Sequence, residues 1–322
     1  MNVLVVGGAG YIGSHAVYEL KRAGHKVSVM DNLSTGEKSF VPSDVKLYIK
    51  DVTNKADTLA VLKSQKFDVI MHFAAKLIVP ESVKKPLLYY YNNVEGVRIL
   101  LESMVEANVK NIVFSSTAAV YGEPDHGICK EIDLTKPINP YGESKLACER
   151  LIHWTSLAHN LNYVVFRYFN VAGADESLEI GLKKQQLTHL IPVTIEAALG
   201  LRDKLTIFGS DYNTKDGTNV RDYIHVTDLA KAHLLGAEYL MKGGKSDIFN
   251  LGSTNGYSNL EVANTVNKIL PLKYELGPRR EGDPATLIAD IKKAKEILNF
   301  KPLYNLEDIV KSDLAYRKKI SE

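Results

Sequence analysis

Short apolar runs alternate with longer helical patterns along the first half of the chain. The runs are rich in Val and Ile, and they predict β-strands at residues 3–6, 26–30, 46–49, 68–72, 111–115 and 163–167. Apolar residues spaced three and four apart predict helices at residues 12–23, 57–63, 86–107 and 141–159. Because near-continuous apolar strands separated by helices are typical of parallel sheets, we expect a sheet that is covered on both faces.

The pattern becomes less regular after Asn170. A polar stretch and a helical pattern follow, and the strand–helix–strand order then returns only briefly. These segments are residues 173–181, 190–199, 219–225, 227–240 and 247–251. We predict an α/β fold with a Rossmann-type doubly wound parallel sheet in residues 1–172 and in a returning segment at about 219–251. Residues 173–322 otherwise form a smaller, interwoven C-terminal α/β domain.

Composition narrows the function classes. The 322-residue chain is long enough for about two domains. Its net charge of +2 gives no electrostatic reason to expect that it binds nucleic acid or an anionic membrane. Cys129 and Cys148 show neither metal-ligand spacing nor a disulfide framework. No basic leader precedes the first apolar run, and no run approaches the ~20 residues of a membrane-spanning helix. We expect a soluble cytoplasmic protein with free thiols and no metal.

A glycine-rich stretch joins the first predicted strand to the first predicted helix. Gly7, Gly10 and Gly13 are spaced three apart, which lets the backbone turn tightly and approach a pyrophosphate at the helix N-terminus. Strand, loop and helix occur in the required order, so the stretch predicts a dinucleotide site. A glycine-rich turn without a ligand is the alternative.

Polar residues follow the next strands at the edge where open sheets bind ligands. Asp31 ends the second strand, near the ~20-residue offset at which a carboxylate accepts hydrogen bonds from an adenosine ribose. Because a carboxylate there repels a ribose phosphate, we expect NAD rather than NADP. Asp51 follows the third strand and residues 73–75 follow the fourth. As alternatives, Asp31 caps a turn and Phe73 belongs to the core.

The stretch from Tyr141 to Lys145 contains two side chains whose spacing suits proton transfer. In a helix, the phenol and the ammonium lie on one face at positions i and i+4. A nearby cation favours the phenolate and lowers a tyrosine pKa from its usual ~10, so Tyr141 is a candidate base. Thr117, at the end of the fifth strand, is a candidate to relay a proton to it. The alternatives are a surface helix with an ordinary Tyr and Lys, and a threonine that caps a turn.

With these motifs in place, the sequence resembles the extended short-chain dehydrogenase/reductases, and within them the branch that epimerises UDP-glucose at carbon four. The resemblance covers nearly the whole chain. The motifs that carry it are GGAGYIGSH at 7–15, DNL at 31–33, HFAA at 72–75, NNV at 92–94, FSSTAAVYG at 114–122, PYGESK at 140–145, RYFNVAG at 167–173, DGTNVRDYIH at 216–225 and RREGD at 279–283. The last two are the most particular to the epimerases.

The resemblance implies a role for residues at matching positions. Thr117 stands where the family has a catalytic Ser or Thr, Tyr141 is the base, and Lys145 binds the nicotinamide ribose. The cofactor set is Gly7, Gly10, Tyr11, Ile12, Gly13, Asp31, Asn32, Leu33, Asp51, Val52, Phe73, Ala74, Ala75, Asn92, Tyr141, Lys145 and Phe169. The substrate set is Thr117, Asn170, His189, Leu190, Thr206, Phe208, Arg221, Tyr223, Arg280, Asp283 and Leu287.

The implied activity is NAD-dependent interconversion of UDP-glucose and UDP-galactose through a transient 4-keto intermediate, in a homodimer. The 1–172 domain then binds NAD and the 173–322 domain binds the UDP-sugar. Two departures from the family pattern are Leu77, where many relatives have a Lys, and His189, where they have an Asn. A dehydratase of the same family is the main alternative, although Ala118-Ala119 replaces its acidic pair. A catalytically inactive NAD sensor is another.

Overall fold

A computed structural model describes residues 1–124, 126–183, 189–280 and 283–321 of the chain. Glu281 and Gly282 of the RREGD motif therefore lie outside the described residues. The strands are β1 (Asn2–Val6), β2 (Lys26–Asp31), β3 (Lys46–Ile49), β4 (Val69–His72), β5 (Asn111–Thr117), β6 (Ile128–Cys129), β7 (Asn162–Tyr168), β8 (Asn170–Ala172), β9 (Leu205–Phe208), β10 (Val220–His225), β11 (Asp247–Leu251), β12 (Gly256–Ser258), β13 (Tyr274–Gly277) and β14 (Thr286–Ala289). The α-helices are α1 (Tyr11–Arg22), α2 (Lys55–Lys63), α3 (Val79–Lys84), α4 (Pro86–Tyr89), α5 (Gly96–Glu106), α6 (Pro140–His159), α7 (Leu190–Ala198), α8 (Val226–Met241), α9 (Asn259–Asn267), α10 (Lys292–Leu298) and α11 (Leu306–Ser321).

The largest sheet of the protein is the main sheet, and its strand order is β3-β2-β1-β4-β5-β7-β11. Every neighbouring pair of strands in it is parallel. The chain runs outward from β1 through β2 to β3, and then in the opposite direction from β4 onward. This reversal opens a crevice at the carboxyl ends of β1 and β4, where open sheets bind ligands. The predicted doubly wound α/β fold is confirmed.

Alternating residues of the central strands pack against helices on opposite faces. Val3 and Val5 lie in one core cluster with residues of α1 and α8. Leu4 and Val6 lie in a second cluster with residues of α2, α5 and α6. Because successive side chains of a strand point to opposite faces, both faces need apolar residues, which explains the unbroken apolar runs.

One predicted helix is interrupted. The pattern at residues 86–107 predicted a single helix, but the structure forms α4, a π-helical turn over Tyr90–Glu95, and then α5. A π turn holds one more residue per turn than an α-helix and is frequent at functional sites. It turns the side chain of Asn93 toward α6, where its Nδ2 donates to Ser144 Oγ at 3.0 Å.

The second sheet, as we call the smaller one, is built from short strands in the order β12-β10-β14-β6, with β8 also pairing to β10. Strands β9 and β13 form a separate parallel pair. The chain crosses from the second sheet to the main sheet after β10, which begins at residue 220. Strand β10 lies in the second sheet, whereas the following helix α8 packs on the main sheet and β11 joins that sheet. Among the described residues, no helix is both long enough and apolar enough to cross a bilayer.

Candidate active site

The glycine-rich loop lies in the crevice of the main sheet. Gly7 follows β1 with a φ of +83°, and a Cβ on it would come within 2.5 Å of the backbone nitrogen of Ala74. A Cβ on Gly13 would come within 2.2 Å of the Gly7 carbonyl oxygen. Both positions therefore require glycine. Helix α1 begins directly after this loop, so its first N–H groups face the crevice and suit an anion.

The side chain of Tyr11, the first residue of α1, does not point into the crevice. Its hydroxyl donates to the carbonyl oxygen of Gly173 at 2.6 Å, just after β8 of the second sheet. Burial raises the pKa of this phenol well above its ordinary value. The Tyr11 ring therefore joins the start of α1 to the second sheet.

Asp31 lies beside the glycine loop at the end of β2. Its Oδ2 accepts from the Ala9 backbone N–H at 3.0 Å, and its Oδ1 accepts from the Leu33 N–H at 2.8 Å. The second bond shows the turn role that the sequence left open, and Leu33 takes a φ of +57° there. Burial raises the pKa of the Asp31 carboxyl, while the two hydrogen bonds act to lower it.

The neighbouring polar residues form one edge with Asp31. Asn32 Nδ2 donates to Asp51 Oδ2 at 2.9 Å, and Thr53 donates to Asp51 Oδ1 through both its N–H at 2.8 Å and its hydroxyl at 2.7 Å. Val52 is buried beneath them. The structure thus brings the predicted residues after β2 and β3 together at the carboxyl edge of the sheet.

The segment after β4 closes the other side of the crevice. The backbone N–H groups of Phe73 and Ala74 donate to the Val6 carbonyl oxygen at 2.8 and 3.2 Å, which holds residues 73–75 against the glycine loop. The Phe73 ring packs on the His233 ring with centroids 4.7 Å apart, so it also has the core contact that the sequence left open.

Asn93 is a positioning residue that the sequence analysis did not single out. Its Oδ1 accepts from the Lys76 N–H at 2.8 Å and its Nδ2 donates to the Lys76 carbonyl oxygen at 3.0 Å. Its neighbour Asn92, a predicted cofactor ligand, donates to the same Oδ1 at 3.1 Å. A buried asparagine inside an apolar helical pattern was the available signal, because such a group must find partners.

The predicted catalytic residues meet between β5 and α6. Thr117 ends β5, and Tyr141 and Lys145 lie in the first two turns of α6. The Thr117 side chain lies close enough to the Tyr141 phenol to act on its pKa. Asn139 and Pro140 explain why the helix begins here, since the Asn139 side chain accepts from the Gly142 N–H at 2.9 Å and proline suits the first helical position.

The electrostatics differ from the sequence expectation for Tyr141. Burial raises its pKa to about 12, and only the neighbouring Thr117 side chain acts to lower it. The Lys145 ammonium instead donates to the Ser115 carbonyl oxygen at 2.8 Å and lies 4.9 Å from the Phe114 ring centroid. Lys145 therefore does not lower the pKa of Tyr141 in this structure as the sequence analysis expected.

Burial also lowers the pKa values of two neighbouring basic side chains, Lys145 and His72. The pKa of Lys145 falls to about 8, because burial disfavours its charge more than Cys148 and Glu149 favour it. The pKa of His72 falls to about 3, through burial first and the Lys145 charge second. His72 is therefore neutral at physiological pH, whereas Lys145 is still mostly charged at neutral pH.

A buried ion pair joins α6, one turn beyond Lys145, to β7. Arg167 on β7 binds both carboxylate oxygens of Glu149, with Nη2–Oε2 at 2.6 Å, and the Ser116 hydroxyl donates to the same carboxylate. Arg167 also donates to the Tyr121 hydroxyl at 3.1 Å. Glu149 follows Tyr141 and Lys145 at a spacing of four, which was the signal in the sequence that it lies on the buried face.

The second sheet gathers part of the predicted substrate set. Leu287 on β14 lies beside Arg221 on β10, and Tyr223 on β10 lies beside Asn170 on β8. The Arg221 guanidinium donates to Asp283 Oδ1, and Asn219 Nδ2 donates to Asp283 Oδ2 at 2.9 Å. Arg221, Asp283 and Leu287 therefore form one cluster.

The remaining substrate candidates lie on β9 and α7. The Arg280 guanidinium stacks on the Phe208 ring at 4.1 Å from its centroid. Thr206 lies two residues before Phe208 on the same strand, and its hydroxyl donates to Glu275 at 3.1 Å. His189 precedes α7 and Leu190 is its first residue. Phe169 is buried between β7 and β8.

Comparison with known proteins places these observations in one family. Residues 3–252 match the model of the NAD dependent epimerase/dehydratase family. The UDP-glucose 4-epimerase of Lacticaseibacillus casei is 50% identical over 307 residues, which cover 95% of this chain and 93% of that protein.

Solved structures agree with this result. A crystal structure of a UDP-glucose 4-epimerase has a TM-score of 0.97 at 47% identity, covering 100% of this chain and 99% of that one. The Brucella ovis UDP-glucose 4-epimerase in complex with NAD has a TM-score of 0.95 at 40% identity, covering 98% of both chains. Sequence and fold are thus similar to the same group of enzymes over their full length.

Proposed function

Because the chain belongs to the NAD dependent epimerase/dehydratase family, we propose that it interconverts UDP-glucose and UDP-galactose by epimerisation at carbon four. The observation that carries this proposal is the meeting of Thr117, Tyr141 and Lys145 at the carboxyl edge of the main sheet, the same edge at which the glycine loop follows β1. The relatives that are named UDP-glucose 4-epimerases supply the sugar nucleotide.

The residues of the crevice fit NAD. A Cβ at Gly7 would fill the space between the loop and Ala74, and the Asp31 carboxylate lies where an adenosine ribose would present its hydroxyls. We assign the whole cofactor set of residues to NAD, with Asp31 selecting it over NADP. NAD bound there would supply reversible hydride transfer at carbon four of the sugar and a positively charged ring.

Tyr141 takes the proton of the 4-hydroxyl in this proposal. With a pKa of about 12 the phenol is protonated at neutral pH, so the transfer needs positive charge at the site. The Lys145 ammonium supplies part of that charge because its pKa of about 8 leaves it mostly protonated at pH 7. Thr117, whose side chain lies beside the Tyr141 phenol, would link the substrate hydroxyl to the base.

The substrate set then holds the UDP end. Arg221 and Arg280 suit the diphosphate, because a guanidinium binds phosphate oxygens bidentately. Asp283, which already accepts from Arg221 and Asn219, suits the uridine end. An epimerase must hold the nucleotide tightly while the hexose turns over in the site, so binding energy concentrates away from the reacting carbon.

A dehydratase is the competing function within the family. Elimination of water needs an additional general acid, and Ala118 and Ala119 follow Thr117 in a 3₁₀ turn. An inactive NAD sensor is the other competitor, and it does not require the complete set of Thr117, Tyr141 and Lys145.

We also propose a division of labour and an assembly. Residues 1–172 form the NAD-binding domain, and residues 173–322 contribute the UDP-sugar domain. Helices α5 and α6 lie side by side and leave an open groove between them, lined by Leu101, Val105 and Leu151, while Trp154 is 68% exposed. This face suits a homodimer. The buried free thiols of Cys129 and Cys148 suit the reducing cytoplasm.

The decisive experiment is turnover of UDP-galactose by the purified protein without added NAD. The expected product is UDP-glucose, and NAD is expected in the supernatant after the protein is denatured. A 4-keto-6-deoxy product would identify a dehydratase instead. Activity that depends on added NADP would refute the assignment of Asp31.

A further inference from the structure

Asp222 is a fully buried carboxylate between two residues of the proposed substrate set. It lies on β10 between Arg221 and Tyr223, and its exposed fraction is 0%. Successive side chains of a strand point to opposite faces, so Asp222 faces away from both neighbours. The sequence analysis gave it no role, and the proposed mechanism does not use it.

Both oxygens of this carboxylate are fully engaged. Oδ1 accepts from the Ser253 N–H at 2.7 Å and from the Ser253 hydroxyl at 2.8 Å. Oδ2 accepts from the N–H groups of Thr254 and Ala289, each at 3.1 Å. A Cβ on the adjacent Gly252 would come within 2.4 Å of Oδ2, so the chain there passes as close as a glycine allows.

These bonds join three parts of the site. Ser253 and Thr254 follow β11, the last strand of the main sheet, and Asp222 itself lies in the second sheet. Ala289 lies on β14 two residues after Leu287, which is the register partner of Arg221. The carboxylate thus fixes the strand of Arg221 against the strand of Leu287, and anchors both to the end of the main sheet.

We propose that Asp222 is a positioning residue that sets the place of Arg221 beside Leu287, and thereby the grip of the site on the diphosphate of a UDP-sugar. The proposal rests on the proposed function for its substrate. Four donors converge on two oxygens, and an asparagine offers one acceptor oxygen and an amide group that is itself a donor. In Asp222→Asn, the donors that face the amide lose their partner and the strands separate there.

The experiment compares Asp222→Asn with Asp228→Asn. Asp228 on α8 is a matched control, because its buried carboxylate also accepts from backbone N–H groups, those of Leu303 and Tyr304, at 3.0 and 3.1 Å. For each variant, calorimetry gives the Kd of UDP, steady-state kinetics give kcat and KM for UDP-galactose, and denaturation releases bound NAD for assay. Thermal unfolding reports stability separately.

We expect the Kd of UDP and the KM of UDP-galactose to rise about tenfold in Asp222→Asn, with kcat and bound NAD within about threefold of wild type. Asp228→Asn should leave the Kd of UDP unchanged, because both bonds go to Asp228 Oδ2 and the single asparagine oxygen can replace it. Ser253→Ala removes one of the four bonds and should raise the Kd of UDP in the same direction by a smaller factor, which keeps the test open if Asp222→Asn does not fold.

An unchanged Kd of UDP in Asp222→Asn, or equal changes in both Asn variants, would overturn the proposal and leave Asp222 with a structural role only. The proposal is equally overturned if Asp222→Asn fails to fold and Ser253→Ala binds UDP as wild type does. Failure of the proposed function is a separate result, since it is read from wild type that binds UDP and yet does not epimerise UDP-galactose.

Discussion

The main sheet and the second sheet are built by different rules. Strands of the main sheet are apolar on both faces, lie parallel to one another and place their functional residues at or just beyond their carboxyl ends. Strands of the second sheet are shorter, pair in both directions and carry functional residues such as Arg221 and Leu287 within the strands themselves. A site at a sheet edge is positioned by loops, whereas a site on strand faces is positioned by register.

This difference separates the two halves of the proposed chemistry. The groups proposed to act on the proton and the cofactor lie at the main sheet. The groups proposed to hold UDP lie in the second sheet, on β9, at α7 and in the segment between β13 and β14. Substitutions in the main sheet should therefore act on kcat or on bound NAD, whereas substitutions in the second sheet should act on KM. The following predictions test that separation in order of decreasing effect.

Tyr141→Phe should lower kcat by ~10²–10⁴-fold, because it removes the proposed proton acceptor. UDP affinity should stay within about twofold, since a base that only the transition state requires contributes little to ground-state binding. Initial rates and calorimetry with UDP measure the two effects. Tyr163→Phe is the control, because this tyrosine lies on β7 and its hydroxyl bonds only the His153 ring at 3.2 Å among the described contacts. Turnover of Tyr141→Phe within twofold of wild type would show that Tyr141 is not the base.

Gly7→Ala should lose at least about tenfold in bound NAD, because the new methyl group would enter the space between the loop and Ala74. Gly24→Ala separates this effect from backbone strain. Gly24 also has a positive φ of +77°, but a Cβ there would meet no atom within 4 Å. Both variants should lose roughly 1–2 kcal/mol of stability from the left-handed backbone. If Gly24→Ala loses as much bound NAD as Gly7→Ala does, backbone strain controls cofactor binding, and the contact of the new methyl group with Ala74 does not.

Arg221→Lys should raise the KM of UDP-galactose about tenfold while bound NAD stays constant, because lysine keeps the charge and loses the bidentate geometry. Arg279→Lys is the control. Its guanidinium pairs with Asp211 on the surface, where exposed ion pairs contribute little. A fall in bound NAD in Arg221→Lys would contradict the separation of the two sheets.

Leu287→Ala should have the smallest effect and the most specific one. Leucine is intermediate in bulk at a position where the family resemblance implies control of room for an N-acetyl group. A hydrophobic pocket discriminates such a change by ~1–3 kcal/mol, so the variant should gain activity on UDP-N-acetylglucosamine relative to UDP-glucose. The measurement is kcat/KM for both substrates, with the exposed Leu303→Ala as control. An unchanged ratio would move the selectivity to another residue.

The sequence predicted the main sheet well because its signals are local. The six strands predicted in residues 1–172 match the structure within two residues at each end, since every strand is an apolar run bounded by polar residues. The glycine loop was equally clear in the sequence, because its glycine spacing is a short motif and Gly13 packs against Gly7 within that motif. The π turn at Tyr90–Glu95 was missed, since apolar spacing does not distinguish it from a regular helix turn.

The second sheet and the separate pair of β9 and β13 were largely missed for a physical reason. Strands β6, β8, β9, β12, β13 and β14 have two to four residues each, too few to show a period. Their pairing joins residues that are far apart in the chain, such as Arg221 with Leu287. The substrate residues themselves came from a family resemblance, and no spacing in the chain indicated that they lie together.

What the sequence by itself determined is the parallel fold, the dinucleotide loop and the pairing of Tyr141 with Lys145 on one helix, because each depends on a short-range periodicity or backbone requirement. What only the tertiary structure decided is the electrostatic state of that pair and the partners of the buried polar groups. The raised pKa of Tyr141, the Glu149–Arg167 ion pair and the four bonds of Asp222 all arise from burial between distant segments. Burial is a property of packing, and the order of residues along the chain does not state which segments pack together.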